Sequence, residues 1–516
     1  MANSVFITVN GQSCESRQGE SVLAALVRAG IPVSAPCGGR GICGKCRLTL
    51  LEGKVRLSES GAEVKTGGSF CACKAQALCD IVISRDIAIS LSNDDADANF
   101  PVANTLAVMP ADRKIRRAGI GVDIGTTTVQ ARLVCLDTGE ILETFSALNN
   151  QRSFGADVMS RIGAARNGKL KELSAAINLQ IEDILRQCID KWNLPEIEQC
   201  AVSGNTAMLH LFAGVDPSAM GEAPYTPVFL EERRFDGRDL SLSSRSVTLL
   251  PGISAFVGAD ITAGLAFLDI MNIKGNEVFI DIGTNGEIAA WKESEKKLLC
   301  CSTAAGPCFE GAEISCGMGA EAGAINKISL KEEAAGATWF NFGPLYYTTL
   351  GNIKARGICG AGLIDAVAVM KKLGAIDETG ALAEEYTRTG FPVTEGINIT
   401  QRDVRQFQLA KAAIFSGVKI LLKKAGVEME NIDEARIAGG LGFFINLENA
   451  SEVGLIPREL AKKTAVCGNT SLLGAVKSLL DPSFLPRCRE IVSCAVTEEL
   501  ALNGDFTEEF ADNMML

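Results

Sequence analysis

Apolar and polar residues alternate along Val5-Phe-Ile-Thr-Val9, pause at Asn10-Gly11 and resume over Gln12 to Ser16, a pattern that predicts a β-hairpin. From Ser21 to Ala29 the apolar positions Val22, Leu23, Leu26 and Val27 fall at helical spacing, and Gly30 and Pro32 end the run. Ile81-Val-Ile-Ser84 predicts a closing strand. Two strands, a helix, a Gly/Cys-rich loop and a last strand predict an α+β domain of β-grasp type over residues 1–91. Over residues 92–116 the pattern dissolves into Asn, Asp, Ala and Pro, which predicts a linker able to let the two sides move. The basic patch Arg113, Lys114, Arg116 and Arg117 reads as a solvated lead-in to the next strand.

Residues 117–516 alternate strand-like with helical runs, which predicts α/β architecture. One pattern occurs twice. Gly121-Val-Asp-Ile-Gly-Thr-Thr-Thr-Val and Phe279-Ile-Asp-Ile-Gly-Thr-Asn-Gly-Glu each end an apolar strand in Asp-Ile-Gly-Thr and lead into a second strand. Two lobes with matching hairpins account for the echo.

Composition narrows the chemistry. The 516 residues carry 50 Lys+Arg against 62 Asp+Glu, a formal charge of −12, which excludes a general nucleic-acid binder. Hydrophobic residues make up 47%, yet no apolar run reaches the length of a membrane span, and the start lacks the pattern of a signal peptide; a soluble cytoplasmic protein with no membrane partner is expected. There are 18 Cys and one His. One His excludes a Rieske centre or a Cys2His2 zinc site. Seven cysteines precede residue 80, namely Cys14, Cys37, Cys43, Cys46, Cys71, Cys73 and Cys79, which points to a metal centre near the N-terminus.

Cys37-Gly-Gly-Arg-Gly-Ile-Cys43-Gly-Lys-Cys46 is a C-x5-C-x2-C run. A 2Fe-2S cluster needs four thiolates and a loop whose backbone amides can approach the sulfides, and Gly38, Gly39, Gly41 and Gly44 permit that approach. The run resembles vertebrate-type and plant-type ferredoxin loops. Cys71, Cys73 and Cys79 are all placed to supply the fourth ligand; the resemblance favours Cys73, in Ala72-Cys73-Lys74, where such domains carry Ala-Cys-Gln just before the closing strand. The metal ligands are then expected to be Cys37, Cys43, Cys46 and Cys73. Cys300, Cys301, Cys308, Cys316 and Cys359 read as small packing residues, and His210 as a core histidine.

A strand ending in Asp-Ile-Gly-Thr, a tight turn and a returning strand can cradle phosphate. Glycine lets amides face it, threonine hydroxyls add donors, and the Asp can hold Mg²⁺. In order along the chain stand Asp123 to Thr128, Pro251 to Asp260, Asp281 to Glu287 and Ile437-Ala-Gly-Gly-Leu-Gly-Phe443. This order resembles the actin, hexokinase and heat-shock ATPase (ASKHA, RNase H-like) superfamily. The resemblance implies ATP with Mg²⁺, held by Gly125, Thr126, Thr127, Thr128, Gly283, Thr284, Asn285, Gly286, Gly439, Gly440 and Gly442. It implies Asp123 and Asp281 as the Mg²⁺ carboxylates and Asp260 as the residue that positions attacking water, although Asp260 reads equally as a helix N-cap.

A ferredoxin-like domain fused to this ATPase resembles the reductive activators of corrinoid enzymes. Asn149-Asn-Gln-Arg-Ser-Phe-Gly, Ser203-Gly-Asn-Thr, Ala304-Ala-Gly-Pro-Cys-Phe-Glu-Gly311, Gln401-Arg-Asp-Val404 and Gly468-Asn-Thr-Ser fit the same family. The resemblance implies ATP-dependent one-electron reduction of Co(II) to Co(I) on the corrinoid protein of a methyltransferase or O-demethylase system, with an upstream low-potential electron donor. It also raises Ser302, Thr303 and Ser315 as hydroxyls able to reach the corrin. The short stretch before the first hairpin leaves little room for a separate middle domain. A metabolite kinase with a redox-sensing domain is the competing expectation.

Overall fold

Among the described residues, one five-stranded and two six-stranded sheets carry the architecture, with three smaller sheets beside them. The structure, a computed structural model, describes residues 5–9, 12–17, 19–29, 31, 33, 46–58, 60–84, 115–330, 339–500 and 503–516. Within residues 5–84 a five-stranded sheet runs in the spatial order Gln12–Ser16, Val5–Val9, Ile81–Ser84, Arg47–Glu52, Ser69–Cys71. Val5–Val9 pairs antiparallel with its hairpin partner and parallel with the closing strand, Ile7 opposite Ile81, which is the β-grasp signature. Ser21 caps the helix Val22–Arg28, and its Val22, Leu23, Ala25 and Leu26 are buried. They join Ile7, Leu50, Ile81 and Ile83 in one small core. A second sheet, Glu63–Lys65, Lys54–Leu57 and Ala75–Ala77, stands beside the first. The turn Ala72–Lys74 therefore leads into this second sheet before the chain reaches the closing strand, a detour the sequence pattern did not predict.

The described chain resumes at Ile115, so nearly all of the expected linker, like the Asn10-Gly11 turn and residues 34–45, lies outside the described residues. Arg117 pairs with Glu198 and Asp137 at the start of the first lobe, as expected of a solvated lead-in.

The two lobes repeat one topology. In the first, Ile141–Leu148, Thr128–Cys135 and Ala118–Ile124 are mutually antiparallel, and Ile197–Gly204 and Ser244–Leu249 continue the sheet in parallel. In the second, Lys297–Thr303, Gly286–Lys292 and Glu277–Ile282 are antiparallel, followed in parallel by Glu434–Ala438 and Thr464–Gly468. The central strands are buried almost throughout, which explains their continuous apolar runs. The duplicated two-lobed α/β fold expected from the Asp-Ile-Gly-Thr echo is thus present. One crossover joins the lobes: Thr464–Gly468 belongs to the second sheet, while the next helix, Thr470–Leu480, packs on Ala118–Ile124 and Ile197–Gly204 of the first. Among the described residues no helix is long and apolar enough to cross a membrane.

Candidate functional site

Both phosphate-type turns sit at corresponding ends of their sheets. In the first, Val129 pairs with Ile124 and the Gly125 amide donates to the Thr128 carbonyl at 3.0 Å. In the second, Ile282 pairs with Gly286 and the Gly283 amide donates to the Asn285 carbonyl at 2.9 Å. The turns face each other across a cleft, with Thr127 Oγ1 3.4 Å from Thr284 Oγ1. The first is held from behind: Asn149 donates to the Gly125 carbonyl at 2.8 Å, and the fully buried Arg161 donates to the carbonyls of Thr126 and Gly155. Burial lowers the pKa of the Arg161 guanidinium to about 9. Asn205 adds a hydrogen bond to Thr126 Oγ1 at 3.0 Å.

Asp123, Asp260 and Asp281 are buried within Coulomb reach of one another at the cleft. Asp123 accepts from Asn469 at 2.7 Å and from Ser471 at 2.8 Å; burial raises its pKa and these two bonds pull it back. Asp260 lies inside the first turn of the helix Ala259–Phe267, whose N-cap is Gly258, so the capping role is not its own. Burial and the nearby Asp123 charge push it up to about 7. Asp281 is raised well above the usual carboxylate range by burial, then by Asp260, Asp123 and Glu310. Glu287 is raised in the same way and accepts from Ser302 at 3.1 Å. No lysine or arginine among the described residues pairs with these four carboxyls, so their mutual repulsion is uncompensated by side chains. Among the described residues no three of these carboxyls stand close enough to hold a metal ion on their own, but a divalent cation carried in by a nucleotide would supply the missing charge, and an oxygen-rich donor set suits Mg²⁺. On this count the residues fit an Mg²⁺-nucleotide.

Beside the second turn, Gly439 follows the strand Glu434–Ala438 with φ +92, and a Cβ there would stand 2.5 Å from the Ile282 carbonyl and 2.6 Å from Asp281 Oδ1. Gly440 opens the turn Gly440–Phe443, which contains Gly442, and a Cβ on Gly440 would meet no heavy atom within 4 Å. The backbone is thereby open to a planar group on that side.

In the N-terminal domain, Cys46 and Cys73 face each other with sulfurs 3.2 Å apart, and the Cys73 amide points at Cys46 Sγ at 3.5 Å. Converging thiols with an amide aimed at sulfur fit cluster ligation. Cys37 and Cys43 lie outside the described residues. Cys71 is half-buried beside Cys46, and Cys79 is exposed. This domain touches the first lobe through Ser153, whose hydroxyl donates to the Val33 carbonyl at 3.1 Å.

Other expectations resolve simply. His210 is fully buried, with Nδ1 2.7 Å from the Thr206 carbonyl and Nε2 accepting from the Val228 amide. Cys300, Cys301, Cys308 and Cys359 are buried packing residues and Cys316 is half-buried. The hydroxyls raised for the corrin are engaged internally: Ser302 on Glu287, Thr303 on the Gly286 carbonyl, and Ser315 on Asp403, a buried residue of the Thr400–Asp403 capping box. Sequence reasoning assigns no role to Asn149, Arg161, Glu310, Asn469 or Ser471. All but Arg161 lie within or beside strings that it singles out, but nothing in a string says where its side chains point.

Residues 6–78 match the 2Fe-2S iron-sulfur cluster binding domain, 118–272 the RACo middle region, and 275–516 the C-terminal domain of RACo, the ASKHA domain. The middle region thus falls on the first lobe. The chain is 33% identical over 428 residues to the corrinoid activation enzyme RamQ of Eubacterium limosum, covering 77% of this chain and 70% of RamQ. It is 28% identical over 414 residues to the [Co(II) methylated amine-specific corrinoid protein] reductase of Methanosarcina barkeri, covering 74% of each. A solved reductive activator for corrinoid, iron-sulfur protein aligns over 99% of this chain and 98% of its own, at 28% identity and a TM-score of 0.71. The chain belongs to the family of corrinoid activation enzymes.

Proposed function

We propose that this protein couples ATP hydrolysis to the one-electron reduction of a Co(II) corrinoid protein to Co(I). The observation that carries the reading is the joining in one chain of a paired-thiol β-grasp domain and a two-lobed cleft lined by four uncompensated carboxyls. The partner is the corrinoid protein of a methyltransferase or O-demethylase system, and a low-potential donor reloads the N-terminal domain. The functional units are residues 1–91, the connecting 92–116 and the ATPase 117–516. A cytoplasmic setting suits the described cysteines, all free thiols.

When bound, the 2Fe-2S cluster supplies a single electron and Mg²⁺-ATP supplies the driving force. Cys37, Cys43, Cys46 and Cys73 hold the former. Asp123 and Asp281 hold the metal, and the turns 125–128 and 283–286 receive phosphate oxygens. Asp260, poised near neutrality, orients water and takes its proton at a carboxylate oxygen. Gly439, Gly440 and Gly442 admit the adenosine. A plant-type cluster at about −400 mV cannot by itself fill a harder Co(II) acceptor, since each ~59 mV of shortfall costs a factor of ten. Switching the grip on the partner from 1:99 to 99:1 needs roughly 5.5 kcal/mol of differential binding, which nucleotide exchange in the cleft can provide.

The deciding assay mixes the reduced protein, Mg²⁺-ATP and a candidate Co(II) corrinoid protein and follows the Co(II) absorption. ATP-dependent loss of that band, absent in Asp281→Asn, supports the reading. Phosphate transfer to a small metabolite with no cobalt reduction would favour a kinase instead.

A further inference from the structure

Thr127 and Thr284 belong to turns 157 residues apart, yet both hydroxyls donate to a single atom, Oε2 of Glu310. The Thr127 bond is 2.5 Å and the Thr284 contact is shorter. A Cβ on Gly283 would lie 4.0 Å from the other carboxylate oxygen, so Glu310 also faces the backbone of the second turn. Two hydroxyls from opposite lobes aimed at one anionic oxygen form the donor set that a phosphate oxygen needs, and a carboxylate is the closest protein counterpart of that anion. We propose that Glu310 is an internal stand-in for the terminal phosphate of ATP, bridging the two turns and giving up its place when that phosphate arrives. The inference rests on the reading of this cleft as the ATP site.

Charge makes the exchange obligatory. Asp281 already feels the Glu310 carboxylate, and a phosphate brought to the same two hydroxyls is repelled by it until it leaves. The local chain is built to let Glu310 go while holding its surroundings. Glu310 ends the turn Pro307–Glu310, and Gly311 follows at φ +77, a conformation glycine adopts without strain. Upstream, Phe309 is buried and meets the Phe407 ring edge-on at 5.8 Å. Downstream, Ile314 is buried and the Ser315 amide donates to Asp403 at 2.7 Å. Residues 310–313 therefore absorb the displacement, at the cost of the Gly311 and Ala312 amide bonds to the Cys308 and Pro307 carbonyls and of the close packing of Gly311 on the Met318 backbone, where a Cβ would stand 2.2 Å from the carbonyl oxygen. The arrival of the terminal phosphate is thus converted into a change of backbone next to the long helix Gln401–Ala425.

Calorimetric binding of ATP and of ADP to the full chain with Mg²⁺ tests this, using wild type, Glu310→Ala and Glu310→Gln. Removing the stand-in is expected to tighten ATP binding about tenfold in Glu310→Ala, with a smaller gain in Glu310→Gln and ADP affinity changed less than about twofold. Hydrogen exchange gives the second readout: peptides spanning 307–313 are expected to exchange faster in wild type with ATP than with ADP. In Glu310→Ala they are expected to be fast without nucleotide. Wild type that binds ATP while both variants bind it no more tightly, or bind ATP and ADP equally altered, overturns the inference alone. Unchanged exchange across 307–313 on ATP addition does the same. Wild type that binds neither nucleotide overturns the reading of the ATP site as well.

Discussion

Ser471 donates its hydroxyl to Asp123 Oδ1 at 2.8 Å, so the carboxylate of the first Asp-Ile-Gly-Thr turn is held by a residue 348 positions further along the chain. Together with Asn469 on the other oxygen, this bond opposes the effect of burial and keeps Asp123 ionisable. Ser471→Ala removes one of the two, so the Asp123 pKa should rise. The acidic limb of the ATPase pH–rate profile is then expected to move to higher pH, with activity at neutral pH down about tenfold, the effect of one lost charge-assisted hydrogen bond. A profile that falls uniformly without moving would assign Ser471 to packing instead.

The cleft carboxyls also tie stability to pH. Burial and the Asp123 charge push the Asp260 carboxyl up to about 7 in the folded protein against about 3.9 in an unfolded chain, so between these values the folded state binds the extra proton. Stability from this group is complete below pH ~4 and is lost as pH rises through about 7. The melting temperature of the nucleotide-free protein is therefore expected to fall from pH 5 to pH 8, at up to about 1.4 kcal/mol per pH unit for one group. Asp260→Asn should flatten the slope, and Mg²⁺ should restore stability at the alkaline end. A slope unchanged in Asp260→Asn would show that other groups carry it.

Gly439 and Gly440 are neighbours with opposite constraints. Gly439→Ala forces a Cβ into the Ile282 carbonyl and the Asp281 carboxylate at positive φ, and should cost about 1–3 kcal/mol in urea denaturation. Gly440→Ala meets nothing in the protein and should leave stability unchanged while weakening nucleotide binding tenfold or more. Normal ATP affinity in Gly440→Ala would place the adenosine elsewhere.

Among the three cysteines able to complete the cluster, Cys73 meets Cys46 with both its sulfur and its amide, and Cys71 meets it with its side chain. Cys73→Ser is expected to lose most of the iron and the visible 2Fe-2S absorption on reconstitution, whereas Cys79→Ser keeps both. Retention of full iron in Cys73→Ser would move the ligand to Cys71.

What could be read from residues alone follows from how local each signal is. The β-grasp hairpin, the helix at Val22 and the two Asp-Ile-Gly-Thr turns are short-range patterns, and each appears in the structure where its periodicity puts it. The detour of Ala75–Ala77 into a second sheet was hidden because three residues carry no period. The Glu310 contact was hidden for a different reason: it joins residues 183 and 26 positions apart, and nothing about a glutamate beside glycine announces two threonines. Asp260 shows the intermediate case, where the sequence offered a cap or a catalytic carboxylate and the position of Gly258 removed the first.

The crossover that returns the helix Thr470–Leu480 to the first lobe has a consequence for biosynthesis. The β-grasp strands are complete once residue 84 has left the ribosome, but Ala118–Ile124 waits for a helix encoded about 350 residues later. At ~5–20 residues per second the interval is roughly 17 to 70 s. Throughout that time a nascent chain can present a finished electron-carrying module attached to a lobe that cannot yet close on nucleotide.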